Sequence, residues 1–477
     1  MKIIKNYLYN SSYQLFLIIL PIITLPYLSR ILGPTYMGIN SYTYSIINYF
    51  ILIAVLGTTT YGQREIAYLK NDWFKISHLF WEIEILNVIT TVISYAILSI
   101  VIISSGKYQI FLWAYSISVI ANVFDVSWLF MGLENFSALA LRNFFVKIIS
   151  VIMIFTFVKN ENDLFIYILI NSLSILVSNL LLWPYVKKWK IFIGIKDFKR
   201  LHPFSHLKGT VALFIPQISI TLYTVLDKVL LGYMGDIKGA SYFDNSDKIV
   251  RLTFTLLTSA STVLMPMIAT EISKRNLKKM NGVLKKSLSF SLCISIALFA
   301  GIIGVSDKFV PLFLGSQFDE VKIILKLQAF ILIPMSIANV VGNQYLIPSR
   351  KSKQLNVSII SGSILNVIVS IPLISMDGAF GASISAMLSE SVVTITQLWQ
   401  VRKSLTFKGI NSDIAKYLIA AIIMFLFLYF EQMFIPGWIS IIIGVLLGSV
   451  IYFSILIILK ATIVDFAYRI LINKLKS

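Results

Sequence analysis

Four charged residues follow one another at helical spacing inside an otherwise apolar stretch of the chain. Asp244, Asp247 and Arg251 stand at positions i, i+3 and i+7, so an α-helix would place them on one face. Lys248 stands one turn after Asp244 and lies near the same face. Such a stripe is typical of a wet cavity, where the cations could hold an anion such as phosphate. The alternative is a set of self-neutralising pairs that only hold two helices together.

Other ionisable residues also fall within apolar stretches, where an isolated charge is costly. Glu390 has no basic neighbour at helical spacing, which favours a partner on another helix or a place in the polar lining of a cavity. Lys147 could pair with Asp125, and Arg30 could reach the membrane interface from a helix end. The candidate anion-binding cations are Arg30, Arg142, Lys147, Lys228, Lys248 and Arg251. The candidate cavity acids are Asp125, Asp227, Asp244, Asp247 and Glu390.

The composition indicates that these charges lie in a membrane. Of the 477 residues, 57% are hydrophobic and only 13% are charged, whereas soluble domains carry about twice that charge. A water-soluble fold has too little interior to hide so much apolar side chain. The apolar runs also lack the alternation of a transmembrane β-barrel. We therefore predict an all-α integral membrane protein.

Fourteen apolar runs are long enough to cross a bilayer as helices, each of which needs about 20 residues. They lie near residues 12–32, 40–57, 79–103, 108–133, 138–158, 164–185, 210–234, 241–270, 287–305, 322–346, 356–375, 379–401, 415–434 and 437–459. With both termini on one side, that side holds most of the 41 lysines and arginines. Because cytoplasmic loops carry such an excess, both termini are predicted to be cytoplasmic. The net charge of +19 is then mainly an orientation signal, and nucleic acid is not expected as a partner.

The sequence also contains an internal repeat. Residues 30–42 and 228–242 both show a cation, aliphatic residues, a glycine and then a second glycine shortly before Ser-Tyr. Chance similarity in an apolar sequence of low diversity is the alternative. The repeat predicts two pseudo-symmetric six-helix lobes, at 1–208 and 209–408, followed at 409–477 by two further helices and a basic cytoplasmic tail. Two related lobes without a soluble domain favour a transporter that alternates access to a central cavity.

No residue pattern typical of an enzyme is found: the chain has no HExxH, GxSxG, Walker loop or kinase motif. The single cysteine, Cys293, excludes an intrachain disulfide, and the three histidines lack the spacing of metal ligands. We expect neither catalysis nor a cofactor or metal. Without a Walker loop, an ion gradient, the membrane potential or the substrate gradient must drive any transport.

Several segments are similar to a known family. Residues 125–136 resemble the W-x-F-x-G-x-E segment of bacterial polysaccharide flippases, within the multidrug/oligosaccharidyl-lipid/polysaccharide exporter superfamily. Residues 223–228 and 242–250 are similar to that family's seventh- and eighth-helix segments. Shorter matches add support at residues 30–33, 346–348 and 377–382. Leu129 and Met131 depart from the family pattern, which often has an aromatic residue and Gln there.

The resemblance implies a flippase that moves undecaprenyl-diphosphate-linked oligosaccharides from the inner to the outer leaflet of the bacterial cytoplasmic membrane. It implies that the six candidate cations contact the diphosphate or acidic sugars in a cavity shared by both lobes. The candidate acids would set the geometry of those cations or respond to coupling ions. The expected partners are the lipid-linked oligosaccharide, the lipid bilayer, a polysaccharide polymerase and glycosyltransferases.

Two other functions stay open on the sequence. A drug or cation antiporter of the same superfamily would have an anionic cavity, whereas cations accompany the acids of the seventh and eighth spans here. A polysaccharide polymerase or ligase would have a large external loop bearing Arg or His. Every predicted external loop of this chain is short, which favours the flippase.

Overall fold

A computed structural model describes residues 2–69, 72–189, 191–192, 194, 198–274, 276–407 and 409–463, with side chains except at 2–18 and 259–263. Throughout these ranges the regular structure is helical, and no strand occurs in them. The predicted all-α class is therefore confirmed. The predicted basic tail at 464–477 lies outside the described residues.

Contacts divide the chain into two compact units, Met1–Gly232 and Tyr233–Ser477. The described helices of the first unit are α1 (Lys2–Val55), α2 (Thr58–Tyr68), α3 (Trp73–Ser105), α4 (Gln109–Ala121), α5 (Ser127–Gly132), α6 (Phe136–Phe157), α7 (Leu164–Leu180), α8 (Trp183–Lys188) and α9 (Leu207–Tyr233). Short 3-10 turns lie at Asn122–Phe124, Glu161–Asp163 and Pro203–His206.

A sharp break divides α1. An unbroken helix of 54 residues would be about 80 Å long, far more than the hydrocarbon thickness of about 30 Å. Gly33 has φ 66° and ψ 176°, a conformation open to glycine and strained for other residues. Pro34 follows directly, and proline is well suited to the first turn of a new helix. These two residues therefore turn one long apolar run into two segments.

The last helix of the first unit, α9, packs closely on α1 and α2. A Cβ atom added to Gly209 would overlap the Tyr61 ring, and one added to Gly232 would overlap the Tyr42 ring. Small residues thus allow close approach at the two ends of the helix. By contacts α9 belongs to the first unit, although the repeat makes it the first helix of the second lobe. The lobe boundaries read from the repeat stay a prediction.

The second unit contains longer helices. Its described helices are α10 (Ile237–Ser273), α11 (Leu277–Phe313), α12 (Val321–Ala329), α13 (Leu332–Asn339), α14 (Ser352–Val401), α15 (Ile410–Phe434) and α16 (Gly437–Ile458). A 3-10 turn lies at Ser316–Phe318 and a π-helical turn at Val340–Leu346. Tyr417 and Tyr452 are completely buried in its core, where Tyr452 donates to the Cys293 carbonyl at 2.8 Å.

The helix α14 is broken in the same way as α1. Asp377 and Gly378 leave the helical conformation, and Gly378 has φ 50°. Asp236 caps α10 by accepting from the Gly239 backbone N–H at 2.8 Å. A Cβ atom on Gly378 would lie 2.5 Å from the same carboxylate. Glycine is therefore required both by the backbone conformation and by the close approach of Asp236.

The described residues contain ten helical stretches that are long and apolar enough to cross a membrane, so the chain is a multi-pass membrane protein. Two of these stretches, Ile19–Tyr68 and Ser352–Val401, have 50 residues each and contain the breaks at Gly33 and at Asp377–Gly378. Each is therefore long enough for two crossings. The total of fourteen spans and the cytoplasmic position of both termini stay predictions.

One ring contact recurs in both units. In the first, Tyr42 of α1 packs edge-on against Tyr108, just before α4, with ring centroids 6.1 Å apart. In the second, Tyr242 of α10 packs edge-on against Phe318, shortly before α12, at 6.0 Å. Tyr42 and Tyr242 are the tyrosines of the two Ser-Tyr segments in the sequence repeat. The equivalent contacts support an internal repeat in the fold.

Candidate functional site

The charged stripe of α10 (Asp244, Asp247, Lys248 and Arg251) forms two ion pairs, each spanning one helical turn. Lys248 Nζ lies 2.6 Å from Asp244 Oδ2, and Arg251 Nε lies 2.7 Å from Asp247 Oδ1. Both acids are buried, whereas 42% of the Lys248 side chain and 37% of the Arg251 side chain are exposed. Both pairs lie within one helix and neutralise its two buried acids.

Glu390 of α14 adds a third carboxylate beside this stripe. Its side chain is buried and lies close enough to Arg251 and Asp247 for their charges to act on it. In the described part of the chain, Oε1 of Glu390 has no hydrogen-bond partner. Arg251 is thus a charged neighbour of Glu390 on another helix. One guanidinium group balances acids from two helices.

The other half of the predicted cluster lies in the first unit. Asp227 of α9 is completely buried, and Tyr49 of α1 is within reach of its charge. Lys228 follows on α9 and is half-buried. Consecutive helical residues point about 100° apart, so Asp227 and Lys228 do not share one environment. The contacts assign these residues and the charged stripe to different units.

Arg142 of α6 is held by groups of its own unit. Its Nε and Nη2 donate to Asn143 Oδ1 at 3.0 and 2.7 Å, and its Nη1 donates to the Ser178 carbonyl at 3.1 Å. Ser178 lies in the last turn of α7, where carbonyls lack partners within the helix. Arg142 therefore also satisfies the end of α7, in addition to any contact with a substrate.

The remaining candidates of the first unit are dispersed. Arg30 is exposed, three residues before the break at Gly33. Lys147 is half-buried. The Asp125 carboxylate accepts from the Ser127 backbone N–H at 2.9 Å. Lys147 and Asp125 do not form the ion pair that their positions in the sequence permit.

The ranges that the structure describes contain no group of three or more His, Cys, Asp or Glu residues placed to hold a metal ion. Cys293 is buried in the core of the second unit. His206 instead takes part in a polar network in the first unit. Its Nε2 lies 2.8 Å from Glu82 Oε2, and its Nδ1 lies 2.9 Å from Tyr61 Oη. The carboxylate can only accept, so Nε2 is the donor to Glu82.

The aromatic residues of the 125–136 segment are core residues. Trp128 is 1% exposed and stacks on Phe80 of α3 at 5.5 Å between ring centroids. A Cβ atom on Gly62 would lie 2.5 Å from the Trp128 ring. Phe130 is also buried, and its ring packs 4.8 Å from that of Trp189. This segment therefore holds α2, α3, α5 and the chain after α8 together.

Glu84 of α3 is one of the buried acids outside the set of candidate cavity acids. It is 3% exposed, and its only charged neighbour among the described residues is Asp125. Glu82 stands two residues earlier, which turns it by about 200° around the helix. That spacing shows that the two glutamates cannot share one environment. It does not show which of them is buried.

Sequence comparisons relate the chain to carriers of surface polysaccharides. A family profile described as "Polysaccharide biosynthesis protein" matches residues 3–272, more than half of the chain, and a MatE profile matches residues 212–371. A protein named as an O-antigen transporter in Escherichia coli (strain K12) is 24% identical over 409 residues, which cover 84% of this chain and 97% of that protein. A protein named in the same way in Shigella dysenteriae is 24% identical over 388 residues, which cover 80% and 96%.

Two solved structures share the fold. The lipid II flippase MurJ in an inward closed conformation gives a TM-score of 0.74 at 18% identity, covering 98% of this chain and 100% of that one. A MATE-family multidrug resistance transporter in an inward-facing conformation gives 0.65 at 14% identity, covering 80% and 94%. These likenesses concern the fold, whereas the profile match concerns the sequence and agrees with the resemblance noted in residues 125–136 and 242–250. The chain belongs to the polysaccharide biosynthesis protein family.

Proposed function

We propose that this chain is a flippase that moves undecaprenyl-diphosphate-linked oligosaccharide repeat units from the inner to the outer leaflet of the bacterial cytoplasmic membrane by alternating access. The observation that carries the proposal is the alignment with the Escherichia coli protein named as an O-antigen transporter, which covers 84% of this chain and 97% of that one. The fold shared with a lipid II flippase agrees with a lipid-linked substrate.

The chemistry of the charged stripe supports an anionic headgroup as the substrate. Lys248 and Arg251 are each neutralised on one side by a buried acid but keep 42% and 37% of their side chains exposed. A guanidinium group can bind a phosphate through two parallel hydrogen bonds, and an ammonium group acts as a point charge. The proposed headgroup contacts are Arg30, Arg142, Lys147, Lys228, Lys248 and Arg251. The proposed charge-balancing acids are Asp125, Asp227, Asp244, Asp247 and Glu390.

On this proposal the chain is not an enzyme, because it changes the location of its substrate and none of its bonds. Glycosyltransferases would supply the lipid-linked repeat unit on the cytoplasmic side, and a polymerase would consume it on the other side. The two lobes at 1–208 and 209–408 would act as the moving parts, with the helices of 409–477 added to the second.

The test is export in a strain that lacks its own flippase. The wild-type chain is expected to restore surface polysaccharide when the strain makes a matching repeat unit. Arg251→Gln is expected to reduce export at equal protein abundance. Lys326→Gln is the matched control, because Lys326 also forms an ion pair, 2.7 Å from Asp307, and neither residue belongs to the stripe. Wild-type protein in the membrane without export of any lipid-linked oligosaccharide would contradict the proposal.

The MatE match at residues 212–371 favours one second candidate, a drug or cation antiporter. The same strain distinguishes the two functions. A flippase leaves the accumulation of cationic drugs unchanged, whereas an antiporter lowers it. Reduced accumulation that Asp247→Asn abolishes, without restored polysaccharide, would favour the antiporter.

A further inference from the structure

The helix break between α4 and α5 (residues 122–126) is an irregular segment surrounded by helices of the first unit. Its freed backbone carbonyls need hydrogen-bond donors, because water is scarce at membrane depth. Asn179, Asn87 and Trp183 each donate to one of the carbonyls of residues 121, 122 and 124, at 2.8, 2.9 and 3.0 Å. Three carbonyl oxygens at the end of α4 and in the α4–α5 break are thus occupied by side-chain donors.

Glu84 lies beside the break and has no such donor. Only 3% of the residue is exposed, and neither carboxyl oxygen has a hydrogen-bond partner in the part of the chain that the structure describes. The Asp125 carboxylate is close enough to act on Glu84 electrostatically. Asp125 itself accepts from the Ser127 N–H at 2.9 Å.

Other charged groups of α3, and of α2 which packs against it, are engaged elsewhere. Glu82, on the same helix, binds His206. On α2, Arg64 pairs with Glu65 at 2.8 Å. Among the described residues, no cation acts on Glu84, and the one charge that does is another carboxylate. An ionised carboxylate in these surroundings would be buried without a donor or a counter-ion, which costs several kcal/mol.

Two ligands could remove that cost, a metal cation or a proton. A metal cation needs several oxygen ligands, but the nearby carbonyls already accept from side chains. Within the described ranges, no third His, Cys, Asp or Glu completes a metal site with Glu84 and Asp125. A proton needs only the carboxyl group itself, so the observations favour the proton.

We propose that Glu84 is a proton-binding site of the first unit, protonated in this conformation, and that exchange of its proton is coupled to the transport cycle. The second part rests on the flippase function proposed above, and the first part does not. Release of the proton beside Asp125 requires water or a cation to reach Glu84. The conformation and the protonation state of this residue are therefore linked.

The proton itself is measured by infrared spectroscopy on the purified full chain in lipid. Wild type is expected to show the C=O band of a buried protonated carboxyl group, which Glu84→Gln removes. Glu82→Gln is the matched control and is expected to leave the band, because Glu82 binds His206 instead. Since Gln resembles a protonated Glu in shape and charge, Glu84→Gln is expected to melt no lower than wild type. Because other buried acids such as Glu390 can add bands of their own, the measurement is the difference between the two spectra. Identical carboxyl bands in wild type and Glu84→Gln would overturn the proposal.

A comparison with and without sodium tests the alternative ligand, a metal cation. The spectra are repeated in sodium chloride and in choline chloride, with no change expected. A sodium-dependent carboxylate band that Glu84→Gln abolishes would replace the proton site with a metal site. Glu84→Asp serves as a second acidic variant if Glu84→Gln fails to fold, and it is expected to keep a protonated carboxyl band.

Coupling is tested in proteoliposomes that contain a lipid-linked oligosaccharide. For one coupled proton, a gradient of one pH unit changes the equilibrium distribution of the substrate across the membrane by a factor of about ten, so wild-type flipping is expected to change by up to about tenfold. The Glu84→Gln variant is expected to flip the lipid-linked oligosaccharide at a rate that does not depend on the pH gradient. An equal response in both proteins would overturn the coupling. If wild type flips nothing at any pH, the proposed function fails, and the infrared result still decides whether Glu84 binds a proton.

Discussion

The two segments that carry the family resemblance differ in how they contribute to their units. In the first unit, residues 125–136 are organised by aromatic packing, with Trp128 stacked on Phe80 and both rings buried. In the second, residues 242–251 are organised by charge, with ion pairs of 2.6 and 2.7 Å along one helix. Resemblance to the same family therefore identifies a structural core in the first unit and a candidate binding surface in the second.

The two units also differ in whether their buried charged residues have partners of opposite charge. In the charged stripe of α10, both acids have a cation one turn further along the same helix. In the first unit, Glu84 has no hydrogen-bond partner and Lys147 no ion-pair partner among the described residues. Paired charges keep their ionised state over a wide pH range, whereas a lone buried acid responds to protons. We therefore expect anion contacts to dominate in the second unit and proton exchange in the first.

The largest effect on stability is expected from the aromatic core of the first unit. Trp128→Ala removes a ring that is 1% exposed and leaves a cavity, which costs about 3–5 kcal/mol. The thermal unfolding midpoint in detergent measures this loss. Export should fall only in proportion to the amount of folded protein.

Trp399→Ala is the control for that prediction. Trp399 is 63% exposed, so its removal should change the free energy of unfolding by no more than about 0.5 kcal/mol. If Trp128→Ala melts like wild type but abolishes export, the 125–136 segment contacts substrate, and the contrast between the two segments is wrong.

The largest effect on transport is expected from charge reversal in the stripe. Arg251→Glu places a new carboxylate beside Asp247 and Glu390, which already depend on the Arg251 charge. Loss of one partner from a fully buried charge pair reduces the free energy of binding or folding by about 2–5 kcal/mol. The loss is expected to be smaller here, because Arg251 is partly exposed. Export per folded molecule should decrease about 100-fold.

An exchange variant separates pairing from anion binding. Asp247→Arg combined with Arg251→Asp restores one pair on α10 with reversed order. The variant is expected to regain membrane abundance but not export, because the cation no longer stands one turn further along the helix. Full recovery of export would mean that the pair has only a structural role.

The helical membrane fold and the two ion pairs of α10 could be predicted because both depend on local periodicity. Runs of about 20 apolar residues identify spans, and spacing of i, i+4 brings Asp244 to Lys248 and Asp247 to Arg251. The breaks at Gly33 and at Asp377–Gly378 fall at glycines between predicted spans. Local patterns of this kind need no knowledge of the neighbouring helices.

The environment of Glu84 could not be predicted for the opposite reason. It depends on the α4–α5 break, which falls inside the apolar run 108–133 and has no marked change of composition. Which side of α3 faces that break is set by packing between helices, as with Trp128 and Phe80. The same limit applies to α9, which the repeat assigns to the second lobe and the contacts assign to the first unit.

A smaller effect on transport is expected from Lys147. Its half-buried ammonium group forms no ion pair in the described part of the first unit, so Lys147→Met removes no internal bond and should not lower the unfolding midpoint. If the ammonium binds the substrate headgroup, loss of one charged hydrogen bond lowers apparent affinity about tenfold. Lys107→Met is the control, because Lys107 is exposed between α3 and α4. Unchanged export in Lys147→Met would remove this residue from the proposed headgroup contacts.

The smallest effect is expected from the polar network that holds the chain before α9. His206→Ala removes the ring that links Glu82 at 2.8 Å and Tyr61 at 2.9 Å, at a cost of about 1–2 kcal/mol. Limited proteolysis should then cut faster within residues 198–206. His202→Ala is the matched control, because the His202 backbone N–H, and not its ring, donates to Glu82. Equal cleavage of both variants would show that backbone contacts alone hold this connection. The hydrogen bond between Glu82 and the His206 ring would then contribute little to stability, and the contrast between a partnered Glu82 and an unpartnered Glu84 would lose its support.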